Sequence, residues 1–183
     1  MRVQGLQGRR VAAAAVTLAG GVALLTGCSG TPGAAAVVNG EVITSEDVRV
    51  AVDQLGSLYE QVNTVNVLSV LVQEPILMDV ADEHGIGVSD EEAEVLLNAA
   101  AENAGVDAPD EYAPSTLAIA KFAKANSKLQ DADDAADISD EIAKRIGDAD
   151  IEVNPRFGDF DADSLTVLAP ATPSWIVVPS DDA

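Results

Sequence analysis

One cysteine stands among 183 residues, Cys28 in the stretch LLTGCSG (Leu24 to Gly30). A chain with a single thiol closes no internal disulfide, so its fold has to be held by a packed core. The flanks of that thiol narrow matters further. Before it comes MRVQGLQGRR, carrying Arg2, Arg9 and Arg10 and no acid, then VAAAAVTLAGGVALL (Val11 to Leu25) without a charge. A charged start, a short apolar middle and a small-residue cleavage region make the pattern of a secretory signal peptide. The run is too short and too rich in Ala and Gly for a membrane span, which needs about 20 strongly apolar residues. Residues 1–27 are therefore expected to be a leader, with the folded part beyond Cys28.

Leu25, Thr26, Gly27 and Cys28 together resemble the lipobox of bacterial lipoproteins. The resemblance implies a diacylglycerol on the Cys28 sulfur and cleavage just before that residue, which frees its amine. Two acyl chains hold a protein on a bilayer stably, at about 0.8 kcal/mol per buried methylene, where one would not. Cys28 is then an anchor at the extracytoplasmic face of a bacterial cell membrane rather than a catalyst. An ordinary buried or free cysteine is the alternative, and position, flanks and uniqueness argue against it.

Without residues 1–27 the chain keeps seven basic residues against 31 acids, a net charge of −24. Such a charge repels nucleic acid and anionic headgroups, so nucleic acid is not expected as a partner and the lipid must hold the protein at the membrane. Residues 28–35 read as a Gly/Pro/Ser tether, of which Ser29 to Ala35 spans at most about 25 Å when extended. AVVNGEVIT (Ala36 to Thr44) reads as two strands around Asn39-Gly40, the dipeptide suited to a two-residue type I′ hairpin. Thr44 is placed to cap a helix running to about Gln61, with Val48, Val52, Leu55 and Leu58 or Tyr59 facing inward. Thr64 to His84 repeats Leu68, Val72, Ile76 and Val80 beside Leu71, a helix in which Pro75 predicts a kink or break. His84, the only histidine, sits as a capping residue before Gly85.

Ser89-Asp-Glu-Glu92 is a capping box opening a helix to about Asn103. From Ser115 another helix carries Ile119, Phe122 and Leu129 on one side and Lys121, Lys124 and Lys128 on the other. The lysine stripe is read as a solvated or acid-paired face, a contact to anionic lipid or a partner being the alternative. Ile138, Ile142 and Ile146 mark a last helix, and Ile151 to Asp161 a strand ending in a turn. Residues 162–183 are proline-punctuated and read as a disordered tail. Within them Trp175 to Val178 is an apolar run that either stays loose or docks on the domain's own binding surface.

The catalytic patterns that one histidine and one lipidated cysteine permit are few. Ser-His-Asp, Cys-His and histidine zinc sites are excluded, and neither a P-loop nor a GxGxxG occurs. Calcium-loop spacing fails from Asp131, where Ala135, Ala136 and Ile142 fall at positions that need ligands or glycine. It fails from Asp159 too, where Ser164 and Pro170 do the same. Paired acids for glycoside hydrolysis lack sugar-stacking aromatics around them. No cofactor, metal or catalytic residue is expected.

Three stretches resemble the SurA/PrsA-type extracytoplasmic chaperones and foldases: AAVVNGEVITSEDV, VADEHGIGVSDEEAEVLL and VNPRFGDFD. They are similar to the strand-turn-strand-helix opening of the family's chaperone region, to its helix, Gly-Ile turn and capping box, and to the segment where its chain returns. The parvulin isomerase domain of complete foldases has no room here, since Asp131 to Asp137 joins one helical region directly to the next. The resemblance implies a chaperone domain over 36–161 without the isomerase. The expected fold is mainly α with a small antiparallel β-sheet, made by the 36–44 hairpin and a strand at 151–155. The expected function is non-catalytic binding of unfolded or exported polypeptides in an apolar groove between helices, whose residues the sequence does not name. The alternative is a scaffold lipoprotein for one specific extracytoplasmic partner.

Overall fold

A computed structural model describes residues 31–170. The chain begins with β1 (Ala34–Val38) and β2 (Glu41–Thr44), joined by Asn39 and Gly40, whose φ values of 50° and 88° are those of the type I′ turn. Thr44 then closes a reciprocal capping box with Asp47 and starts α1 (Ser45–Gly56). Next come α2 (Thr64–Glu83), α3 (Asp90–Ala104), α4 (Pro114–Gln130) and α5 (Ala135–Asp148). Three short strands close the described chain: β3 (Ile151–Val153), β4 (Asp159–Asp161) and β5 (Thr166–Leu168). The protein is thus mostly helical, with a small antiparallel sheet ordered β2-β1-β3 and a separate β4-β5 ribbon.

The long helix α2 sits in the middle. It buries Val67, Leu68, Leu71, Val72, Ile76, Leu77, Val80 and Ala81, wider coverage than the single stripe expected, because α1, α4, α5, β1 and β5 all pack on it. A second, smaller cluster of Leu55, Leu58, Ala93, Leu97, Ala101, Tyr112 and Ala120 fills the space between α1, α3 and α4. Alanines at the closest crossings, such as Ala51 and Ala93, are fully buried and let backbones approach.

β3 pairs with β1 as the return strand was expected to, with Val37 opposite Glu152 and Val38 opposite Ile151. Four expectations are corrected. The helix after Thr44 ends at Gly56, not near Gln61, because Ser57 caps it and Leu58 folds back into the core while Tyr59 turns outward. The 44–61 helix is replaced past that point by a turn with Gln61 at φ 66°, which hands over to Asn63, the N-cap of α2. Of the kink or break expected at Pro75 the break does not occur, and α2 runs on through it; one proline forfeits one helical hydrogen bond, and the burial on either side outweighs it.

The other two corrections move the domain's ends. The 28–35 tether gives up Ala34 and Ala35, which are buried residues of β1. The disordered tail expected over 162–183 does not begin at residue 162, because Thr166–Leu168 forms β5 against β4. Val167 is 3% exposed, and the Ser69 hydroxyl on α2 accepts its N–H at 2.9 Å. That anchor satisfies a buried serine in the middle of an apolar helix and a strand amide in one contact. Trp175 to Val178 lies outside the described residues.

Candidate functional site

Leu25, Thr26, Gly27 and Cys28 also lie outside the described residues. Within 31–170 a groove of about 400 Å³ is walled by β2, α2 and the first turn of α4. Its floor and walls are mostly apolar: Val38, Val42, Ile43, Leu71, Pro75, Pro114 and Ala118. Each wall has a cause in the sequence.

The α4 wall is set by α1. Ala113, the N-cap of α4, has no side-chain oxygen to offer, and Pro114 opens the helix. Gln54 of α1 supplies what alanine lacks: its Oε1 accepts from the Ala113 N–H at 3.0 Å and from the Thr116 hydroxyl at 2.6 Å. Its Nε2 donates to the Glu111 carbonyl, and the Ser115 hydroxyl donates to the Asp47 carbonyl at 2.9 Å. Thr116 is fully buried, so this network fixes where Pro114 and Ala118 stand.

The β2 wall is a sheet edge. Asn39 N–H bonds to the Asp150 carbonyl and Asn154 N–H to the Ala35 carbonyl, so residues 35, 37 and 39 of the first strand face β3. Ala36 and Val38 therefore bond to Ile43 and Glu41 of β2, and the amide and carbonyl of Val42 point away from the sheet. Val42 is itself 44% exposed. The α2 wall holds Leu71, Glu74 and Pro75; proline at 75 leaves the Leu71 carbonyl without its α-helical donor.

Three acids and no base line this groove: Glu41, Asp47 and Glu74. Asp47 is committed to its capping box, accepting from the Thr44 N–H and hydroxyl. The Glu74 side chain is 14% exposed. Its one cation within 4 Å among the described residues is Lys121 Nζ at 3.9 Å, which lies nearer Asp90 at 3.2 Å. Burial pushes the Glu74 carboxyl above the usual range; Lys121 pulls the other way, and Asp79, Asp90 and Glu41 add to the rise. A carboxylate so placed is under-compensated on the protein side and open to a cation from the groove side.

Two of the three lysines of the stripe, Lys121 and Lys128, are acid-paired, while Lys124 makes no ion pair among the described residues. Lys128 Nζ reaches Glu92 at 2.9 Å and the Gly87 carbonyl at 2.8 Å, tying α4 to the turn before α3, while Lys121 serves Asp90. Hydrogen bonding from Lys128, then from the Ser89 N–H, holds Glu92 below the usual carboxylate range. His84 does cap α2, and its Nε2 lies 3.1 Å from Glu141 of α5. Arg145 joins Glu141 to Glu83 beside it, so this polar group is a clasp between two helices. Asp161 accepts from the Asp163 N–H and the Ser164 hydroxyl, which accounts for that acid as a turn former.

Two other hollows lie elsewhere on the domain. One of about 740 Å³ runs along β1 and β3 beneath Phe160, and one of about 390 Å³ lies between Leu58, Tyr59 and α3. The sequence reading did not single out Glu74 or Gln54. For Glu74 a signal existed: it is the sole ionisable residue between Thr64 and Met78, inside an otherwise apolar helix and directly before a proline. No family model matches the chain, and neither does a curated protein or a solved structure.

Proposed function

We propose that this protein is a membrane-anchored, non-catalytic lipoprotein whose helical domain binds exported polypeptides, in the manner of a SurA-like chaperone without its isomerase. Cys28 carries the lipid in this reading, and the domain works without metal or cofactor at the extracytoplasmic face of the membrane. The observation that carries the binding role is the groove between β2, α2 and α4. It combines apolar walls with the outward amide and carbonyl of Val42, and an extended chain uses both kinds of contact. The domain's acidity keeps a bound, unfolded client in solution.

The test is suppression of aggregation. A chemically denatured exported protein diluted into buffer should scatter less light when the full chain is present in detergent micelles. A photo-crosslinking residue at Ala118 should capture that client. Scattering unchanged at molar excess would remove the proposal. Xaa-Pro isomerisation measured in parallel should proceed at the uncatalysed pace of tens to hundreds of seconds.

The small volume of the groove favours a second reading, a scaffold lipoprotein for one partner. Pull-down from solubilised membranes separates the two: many exported proteins support the chaperone, one stoichiometric protein the scaffold.

A further inference from the structure

We propose that the groove selects extended segments bearing a Lys or Arg beside apolar residues, with the basic side chain received by Glu74 and the backbone added along the outer edge of β2 at Val42. The inference rests on the client-binding reading and names the chemistry of what is bound.

Charge complementarity singles out the occupant. Among the described residues the groove's lining is apolar or acidic apart from the Ser115 hydroxyl, with no basic side chain in it, and the chain as a whole is strongly negative. An acidic segment would meet repulsion from Glu41 and Glu74 together. A wholly apolar one would bury Glu74 further with only the distant Lys121 to balance it, which is costly. A segment with one basic side chain removes that cost, because its ammonium or guanidinium supplies charge-assisted hydrogen bonds to a carboxylate whose nearest cation among the described residues is Lys121 at 3.9 Å.

Backbone geometry fits the same occupant. Val42 offers one outward N–H and one outward carbonyl, a single rung of a ladder, so an incoming strand gains register from the main chain and selectivity from its side chains.

The probes are a fluorescein-labelled peptide of alternating Val and Thr with a central Lys, and the same peptide with norleucine in place of Lys. Binding by fluorescence anisotropy is measured with the full chain in detergent, as wild type, as Glu74→Gln, and as Glu102→Gln. Glu102 is exposed on α3 and carries the same charge change away from the groove. The expected result is that Glu74→Gln weakens the Lys peptide about tenfold, the worth of one charge-assisted contact, and tightens the norleucine peptide, which no longer buries a carboxylate. Glu102→Gln should move neither, and salt should weaken the Lys peptide alone. Equal losses in the two variants would reduce the effect to general attraction and overturn the inference, as would equal binding of the two peptides by the wild type. Aggregation suppression assayed on the same samples separates the two levels. Suppression without peptide discrimination removes this inference and keeps client binding, whereas discrimination without suppression keeps the groove's preference and removes the chaperone reading.

Discussion

Glu74 shows what a single residue trades. Its carboxyl is raised by burial, so the folded state holds that proton to higher pH than the unfolded chain does. The folded state therefore binds more protons between the ordinary carboxylate range and the raised value, and stability falls as pH climbs through that window. Glu74→Gln removes the fall. In urea titrations the variant should gain on the wild type as pH rises from acid to neutral; a gap that shrinks over the same range would contradict the assignment. In the proposed reading this cost to stability is what a carboxylate placed for binding exacts. Gly158 shows the opposite case, a residue required by the fold alone. Its φ is 137°, and a Cβ there would strike the Leu168 carbonyl, so Gly158→Ala should lift the β4-β5 ribbon and cost about 1–3 kcal/mol in thermal unfolding. At this scale the capping roles of Thr44, Ser89 and His84 were legible because they are local; each cap is decided within a few residues. Gln54 was not, since its partners Ala113 and Thr116 lie 59 and 62 positions away and nothing in a glutamine announces them.

Among the elements, helices with a strong stripe and a hairpin with its Asn-Gly turn could be read from spacing alone. The short strands could not. Thr166–Leu168 is three residues beside a proline-rich stretch, and its order comes from Ser69 and α2 rather than from its own pattern. Ser69→Ala should accordingly cost about 1–2 kcal/mol and open the β4-β5 ribbon to protease before the rest of the domain. An equally resistant ribbon in that variant would show that apolar contact from Val167 suffices. The loss from Gln54→Ala belongs to α4 as a whole: the fully buried Thr116 hydroxyl loses its partner and the first turn loses its tie to α1. We expect about 1–3 kcal/mol and faster amide exchange across the start of α4. Truncation before Asp150 removes β3, β4 and β5 together and should lower the unfolding midpoint of the entire domain, a loss of several kcal/mol by rough count. An unchanged midpoint would refute the role of β3 in the sheet.

For the whole molecule, class and general layout followed from pattern: a helical body, a small antiparallel sheet, and a strand after the last helix that returns to the first strand. The groove did not follow, because it is the space left between three elements distant in sequence, and apolar periodicity reports which faces are buried, not where burial stops. The proposed anchor belongs to this scale too. Cys28→Ala should shift the protein from the detergent-rich to the aqueous fraction in phase separation, or leave an uncleaved precursor; unchanged partitioning would remove the lipid from the account. The place of β1 in the sheet has a mechanical consequence. The strand nearest the N-terminal side is not an outer strand but the middle one, flanked by β2 and β3. Tension arriving through the residues before Ala34 is delivered to two ladders at once. The domain should therefore resist a pull from that end in one step, with no early peeling of a single strand, and in an optical trap should yield as one event at higher force than when drawn through β5.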